Sequence, residues 1–323
     1  MNPLDHPALH GLGFGAAQLG NLFRAVDDGT AADAVAAAWE EGLRYFDTAP
    51  HYGLGLSERR LGAALAGRPR DEFVLSTKVG RLIEPNPEPT PTDLANGFDV
   101  PGDRRRRRDY TADGVLRSLE ESLTRLGTDR IDIVYIHDPE EPTDRFDEAL
   151  AGAVPALRRL KDEGVIGAWG VGSKDVAIMR RFVTQAQPDV LMVAGRYTLL
   201  EQDDALIRDC VDHGVAVVAV GVFNSGLLSQ PHPGAGSKYD YADAPAALID
   251  RANRIAEVCE AHGVSLPQAA LAFPRLHEAV VNVCVGMRTR EQVRRNVELT
   301  RQPVPQDLWN DLAQRGLLEE EKR

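Results

Sequence analysis

Four polar side chains of complementary chemistry stand at or just beyond the ends of short apolar runs. Asp47 closes RYFD, Tyr52 follows five positions on in the loop APHYG, Lys78 closes FVLSTK and His137 closes IDIVYIH. A carboxylate, a phenol, an ammonium and an imidazole sharing one mouth can move a proton to or from a substrate oxygen. Tyr52 is the candidate acid/base. A free phenol titrates near 10, and an ammonium about 4 Å away contributes about 4 kcal/mol at an effective dielectric of 20, equivalent to roughly three pH units. Lys78 is therefore expected to bring the phenol towards neutrality, Asp47 to keep Lys78 charged and aimed, and His137, in its neutral form, to hydrogen-bond the substrate oxygen. Taken singly, Asp47 could cap a helix, Tyr52 pack on a rim, Lys78 be solvated and His137 close a core layer. Four such residues at strand ends favour a site.

They form one only if the elements bring them together. Apolar runs rich in Val and Ile recur at 44–50, 73–79, 131–138, 166–173, 190–198, 215–224 and 280–286. They lack the strict alternation of half-exposed strands, which suggests strands buried on both faces. Stretches of helical period lie between them, starting at Ala31, Ala112 and Ala149, and several end at Gly42, Gly127, Gly164 or Gly214, where a left-handed cap is cheapest. With residues 13–20 as a first strand there are eight strand–helix alternations and no dividing linker. The expected fold is α/β, a single-domain (α/β)8 TIM barrel over residues 1–323, with the strand C-termini converging on one mouth. A doubly wound open sheet has the same periodicity. Residues 81–111 are expected to form a long loop after the third strand, and the tail beyond Thr300 an extra helix around Trp309. GLGFGA at 11–16 fits a G-x-G-x-x-A dinucleotide fingerprint, but no strong helix opens after it, and a Gly-rich first strand is the better reading.

Composition narrows the function classes. The chain has 323 residues, 43% hydrophobic and 27% charged, with 29 Gly and 20 Pro, which excludes wholesale disorder and fibrous architectures. Lys plus Arg number 37 against 49 Asp plus Glu, and the net charge of -12 disfavours nucleic acid and anionic membrane surfaces as partners. A neutral or buried-charge substrate is easier to accommodate. Cys210, Cys259 and Cys284 form no C-x-x-C pair and are read as thiols in a reducing compartment. With no leader-like N-terminus and no long apolar run, the expectation is a soluble cytoplasmic protein. Oligomeric state is not legible. The run Arg104 to Arg108 reads as a solvated loop or partner contact, with capture of an anionic substrate or of cofactor phosphates as the alternative.

GLRYFDTAPHYGLGLSERRLGAAL, VLSTKVG, RSLEESLTRLGTDRIDIVYIHDP and GVFNSGLL closely resemble the aldo/keto reductases across nearly the whole chain. The resemblance implies the (α/β)8 barrel and a catalytic tetrad of Asp47, Tyr52, Lys78 and His137. It also implies a nicotinamide dinucleotide, NAD or NADP, held at Gly15 and Ala17, at Ser173, at Phe223 and Ser225, and at Gly286, Arg288, Gln292 and Asn296. His51 would line the substrate pocket. Ala194 and Val220 stand where many members carry Gln and a stacking Tyr, which leaves Phe223 as the candidate to stack on nicotinamide. The cluster Arg288, Arg290, Arg294 and Arg295 tilts the choice towards NADP. HDPE, AGRYTLLEQ and FNSGLL are similar to the branch of L-fucose and D-threo-aldose 1-dehydrogenases, L-galactose dehydrogenase and pyridoxal 4-dehydrogenase. The implied reaction is oxidation of an aldose at C1 to its lactone. Pyridoxal oxidation or general aldehyde and ketone reduction in the same pocket, and a non-catalytic nucleotide-sensor subunit, are the rival readings.

Overall fold

Eight short parallel strands close on themselves in the structure, a computed structural model that describes residues 2–140 and 143–318. The 1–323 domain expectation also takes in residues 1, 141–142 and 319–323, which lie outside the described residues. The strands are β1 (Gly11–Gly15), β2 (Tyr45–Asp47), β3 (Val74–Val79), β4 (Ile131–His137), β5 (Ile166–Ser173), β6 (Val190–Ala194), β7 (Ala216–Val220) and β8 (Val280–Gly286). Because β1 pairs with both β2 and β8, the sheet has no edge and the open-sheet alternative is excluded. All eight were legible as strands; β1 starts two residues before the expected segment and ends at Gly15, giving way to a 3-10 turn over Ala17–Gly20.

The helices follow their caps. Asp27 accepts from the Thr30 amide to open α1 (Asp28–Glu40), and α2 (Leu56–Leu65) follows β2. Thr111 accepts from the Gly114 amide to open α3 (Ala112–Leu126), which ends at a left-handed Gly127. The stretch from Ala149 does not start as an α-helix: it is a π turn over Ala149–Ala153 before the α-helix Val154–Asp162. Pro155 has no amide to donate and its ring crowds the carbonyl four residues back, which the wider turn relieves.

Two hydrophobic layers result. Inside the barrel, Tyr45, Val74, Ile133, Tyr135, Met192, Val218 and Cys284 pack together above Leu9, which plugs the end away from the strand C-termini. Asn282 fastens that plug, its Nδ2 donating to the Leu9 carbonyl at 2.6 Å. A larger cluster fills the space between strands and helices. The three cysteines are free thiols and all buried. Among the described residues, no helix is long and apolar enough to cross a membrane.

The segment after β3 is not a loop. Arg81–Thr90 and Gly102–Arg108 form an antiparallel hairpin, with Arg81 opposite Arg108 and Ile83 opposite Arg106. Pro85, Pro87 and Pro89 sit in its first strand at alternate positions, a spacing an edge strand tolerates but that reads as loop in a sequence. The run Arg104 to Arg108 is thus ordered strand rather than solvated loop, and its residues alternate between two faces.

The expected C-terminal helix is present at Gln306–Gln314, with Leu308, Trp309 and Leu312 buried and the Trp309 ring 6.1 Å from that of Phe273. Leu308→Ala is expected to lower stability by about 2–5 kcal/mol in urea unfolding while leaving activity intact. An unchanged midpoint would show that this helix does not dock in solution.

Candidate active site

Tyr52 owes its place to a close backbone approach. Gly20, ending the turn after β1, and Gly53 lie against each other so tightly that a Cβ on either would strike the other segment's backbone, and Gly53 has φ +61. Beside them the Ser57 hydroxyl donates to the Ala16 carbonyl at 2.7 Å and meets the Thr48 hydroxyl at 2.8 Å. The loops after β1 and β2 are thereby locked together, with Tyr52 over the barrel mouth.

Beneath Tyr52 lies an ion pair. Lys78 Nζ donates to both Asp47 oxygens at 2.9 and 2.7 Å and to the Thr48 carbonyl at 2.8 Å, with Lys78 only 2% and Asp47 4% exposed. Ser76 donates to Asp47 Oδ1 at 2.7 Å, and the Tyr45 hydroxyl meets Ser76 at 2.9 Å and the Tyr135 hydroxyl at 3.3 Å. Lys78 Nζ stands 4.9 Å from the centre of the Tyr52 ring. Burial alone would lower the Lys78 ammonium, but Asp47 and Tyr52 outweigh it and its pKa is raised above the ordinary lysine value. The expectation that Tyr52 is drawn towards neutrality is corrected here. Burial pushes the phenol above its usual value near 10, and Lys78 offsets only part of that rise. Tyr52 is a protonated acid at neutral pH.

His137 completes the quartet. Its ring meets that of Tyr52 edge-on at 6.0 Å and that of His51 at 5.5 Å. Burial, then the nearby cations with Arg81 foremost, holds both imidazoles well below 6.5, so they are neutral. Nδ1 of each is buried without a hydrogen-bond partner, while His137 Nε2 lies 3.4 Å from Asp138 Oδ2. The hairpin supplies the facing wall: Phe98 lies 5.1 Å from the His51 ring and 6.1 Å from the Tyr52 ring, in a cluster with Leu54, Ile83 and Val100. Tyr110, just after the hairpin, donates to the His137 carbonyl at 2.7 Å and fixes the end of β4. Sequence reasoning missed Phe98, Ser76 and Arg81. Ser76 had a signal, since it shares with Lys78 the strand parity that points inward; nothing in the sequence places Phe98.

The residues expected to hold a dinucleotide are spread round the strand ends: Gly15 pairs with Asp47 of β2, Ser173 lies one residue past Gly172, the partner of His137, and the others follow β1, β7 and β8. Gly15 is paired with Gly286 across β1 and β8, and a Cβ at Gly286 would strike the Gln18 amide. Ala17 lies in the turn after β1. Arg288 donates from its side chain to the Leu22 carbonyl at 2.6 Å and from its backbone to Gln292 Oε1 at 2.7 Å; Asn296 is buried on the same helix, Arg290–Arg301. Ser225 is exposed in the loop after β7, accepting from the Tyr241 amide at 3.1 Å, and Phe223 is partly buried against the outer core. Ser173, fully buried, donates to Glu140 at 2.7 Å and accepts from the Asp175 amide at 2.8 Å. Gln18 Oε1, Asn224 Oδ1 and Arg288 Nε are buried without partners at this rim. Close-packed glycines beside unpaired amide and guanidinium groups fit a ligand of amides and phosphates. The arginine cluster does not act as one: Arg290 is taken up by Asp33 and Glu40, Arg294 lies by Glu40 and Glu41, Arg295 donates to the Ser229 carbonyl at 3.2 Å after β7, and Arg288 lies by β1.

A closed barrel with this quartet at its mouth defines an oxidoreductase class, and residues 11–315 match the model of the aldo/keto reductase family. The chain belongs to that family. It is 49% identical over 315 residues to D-threo-aldose 1-dehydrogenase of a Pseudomonas species, covering 96% of this chain and 95% of the relative. Pyridoxal 4-dehydrogenase of Microbacterium luteolum is 39% identical, with 95% and 94% covered. Among solved structures, the holo form of an aldo-keto reductase from Bacillus halodurans superposes with TM-score 0.76 at 26% identity, over 96% of this chain and 94% of that one.

Two outcomes follow from these surroundings. Lys78→Met is expected to lower kcat by about a hundredfold or more, because the Tyr52 proton loses its charged partner; an unchanged kcat would remove Lys78 from the chemistry. Because both imidazoles and the phenol hold one protonation state, kcat/KM for carbonyl reduction stays flat from pH 7 to 5.5. The folded histidines refuse the protons that unfolded ones bind near 6.5, so stability falls as pH drops through that value. An acid limb near 6.5 would show that an imidazole charges in the folded site.

Proposed function

We propose that this protein is an NAD(P)-dependent aldose 1-dehydrogenase, with Asp47, Tyr52, Lys78 and His137 as its catalytic residues. The reading is carried by one observation: the buried Asp47–Lys78 pair stands under a phenol faced by two neutral imidazoles, each with an unpaired Nδ1. The similarity to D-threo-aldose 1-dehydrogenase over nearly the full chain supports the substrate class.

In this reading the aldose binds in its cyclic form. A bound nicotinamide dinucleotide supplies the hydride acceptor. Tyr52 Oη, in its ionised form, accepts the proton of the anomeric hydroxyl, and loss of that proton and of hydride from C1 leaves a carbonyl, making the product a lactone. Lys78 holds its charge beside Oη and steadies the phenolate, and Asp47 keeps Lys78 in place. His137 orients the reacting oxygen, and His51 offers a second polar contact to a ring hydroxyl. The dinucleotide would lie along Gly15, Ala17, Gly286, Arg288, Gln292 and Asn296 on one side and Phe223 and Ser225 on the other, with Ser173 near the carboxamide. With Arg290 and Arg294 engaged by carboxylates, Arg288 and Arg295 are the groups left to meet a 2'-phosphate, and NAD and NADP both suit the site. Three buried free thiols accord with the reducing cytoplasm.

The test is nicotinamide reduction followed by near-ultraviolet absorbance with L-fucose, D-arabinose, L-galactose and pyridoxal, each with NAD and NADP, beside Tyr52→Phe. Sugar-dependent reduction that falls by about a hundredfold or more in the variant is expected. Turnover of pyridoxal alone, or nucleotide binding without turnover, would overturn the aldose reading.

A further inference from the structure

The hairpin after β3 carries a buried charge that the chemistry above does not use. Arg106 is 8% exposed in its side chain and pairs with Asp93, 7% exposed, by two contacts of 2.9 and 2.6 Å. Five further contacts converge on these two residues. Arg106 Nη2 donates to the His51 carbonyl at 2.7 Å, across the mouth from the hairpin. Its guanidinium lies over the Phe98 ring, 5.4 Å from the centroid. Asp93 accepts at Oδ1 from the Asn96 amide group at 2.7 Å, while its backbone amide donates to the Val100 carbonyl at 2.8 Å and its carbonyl accepts from the Phe98 amide at 3.2 Å.

One guanidinium therefore connects the turn that presents Phe98 to the loop that presents His51 and Tyr52. A buried ion pair is weak grounds for stability, since apolar residues of similar size often serve a core as well. The planar fork is better suited to orientation: it holds a carboxylate with two nitrogens while one of them also reaches a carbonyl, which a lysine ammonium on a flexible stem does not reproduce. The alternation of the hairpin explains why this arginine does it. Arg107, on the other face, is occupied by Glu84 and Asp109 at 2.9 and 2.8 Å, whereas Arg106 stands opposite the buried Ile83 on the mouth-facing side.

We propose that Arg106, braced by Asp93, is a positioning residue that sets the distance between the Phe98 wall and the His51 imidazole and so selects ring-sized substrates. This rests on the reading of the mouth as the substrate pocket. A substrate that fills the gap between Phe98 and His51 depends on both walls. A three-carbon carbonyl compound reaches only Tyr52 and His137 and does not. Misplacing a positioned group by about 1 Å costs on the order of a hundredfold, so even partial loosening of His51 is measurable.

The test compares the parent with Arg106→Lys and with the double variant Arg106→Met, Asp93→Asn, which removes the pair as a unit and leaves no lone buried charge. KM and kcat are measured for a cyclic aldose, L-fucose, and for reduction of methylglyoxal, and the histidine ring resonances are recorded by NMR with His51→Gln for assignment. Both variants are expected to raise the aldose KM by about tenfold or more, change its kcat by less than about threefold, and leave methylglyoxal kcat/KM within about threefold. The His51 resonance moves, while that of His213 on the helix Asp204–His213 does not. A parallel loss on both substrates, no change on either, or an unmoved His51 resonance overturns the proposal. If the parent oxidises no aldose, it is the dehydrogenase reading that fails, and pyridoxal against methylglyoxal with the His51 resonance still decides the role of Arg106.

Discussion

The buried pair of Asp47 and Lys78 constrains everything around it. Two charges removed from water cost several kcal/mol each, recovered only when their remaining lone pairs and protons are satisfied. Here the parallel pairing of β2 with β3 puts Asp47 beside Ser76, so that Ser76 can donate to the carboxylate while Lys78, two residues further along, reaches both of its oxygens. The Thr48 carbonyl takes another ammonium proton, and the hydroxyls of Tyr45 and Tyr135 continue the network into the barrel interior. Closure of the sheet around these groups keeps water away and lets the ammonium act on Tyr52 at short range.

The mouth above that pair has two unlike sides. Where β1 and β8 end, glycines leave backbone exposed beside unpaired amide and guanidinium atoms, a surface for a polar extended ligand. Across the mouth stand aromatic rings and neutral imidazoles held by the hairpin, a surface for a compact ligand with alternating apolar and hydroxylated faces. Tyr52 is packed between them, near enough to Lys78 to exchange a proton where the two ligands meet.

How much of this a reader of the sequence sees depends on the range of the forces involved. Strand ends are local: a polar residue closing an apolar run marks Asp47, Lys78 and His137 without any knowledge of the fold. The direction in which Tyr52 titrates is not local, because the burial that raises it arises from the loops after β1 and β2 and from Phe98, far apart in the chain. The arginines after β8 read equally as a phosphate site or a charged surface helix for the same reason, since the carboxylates that engage Arg290 belong to α1 at the other end of the sequence. The hairpin was hidden by its own prolines, and with it the alternation that separates Arg106, clamped to Asp93, from Arg107, taken up by Glu84 and Asp109.

The most direct measurement is the pH dependence of kcat/KM for aldose oxidation between pH 6 and 10. In the proposed reaction Tyr52 accepts a proton, and a phenol raised above its ordinary value is ionised only in proportion to hydroxide over this range. The account therefore predicts a rise of about tenfold per pH unit, still climbing at pH 9. A plateau near pH 7 would contradict it, showing that Lys78 prevails over burial and that the phenol is already ionised at neutrality.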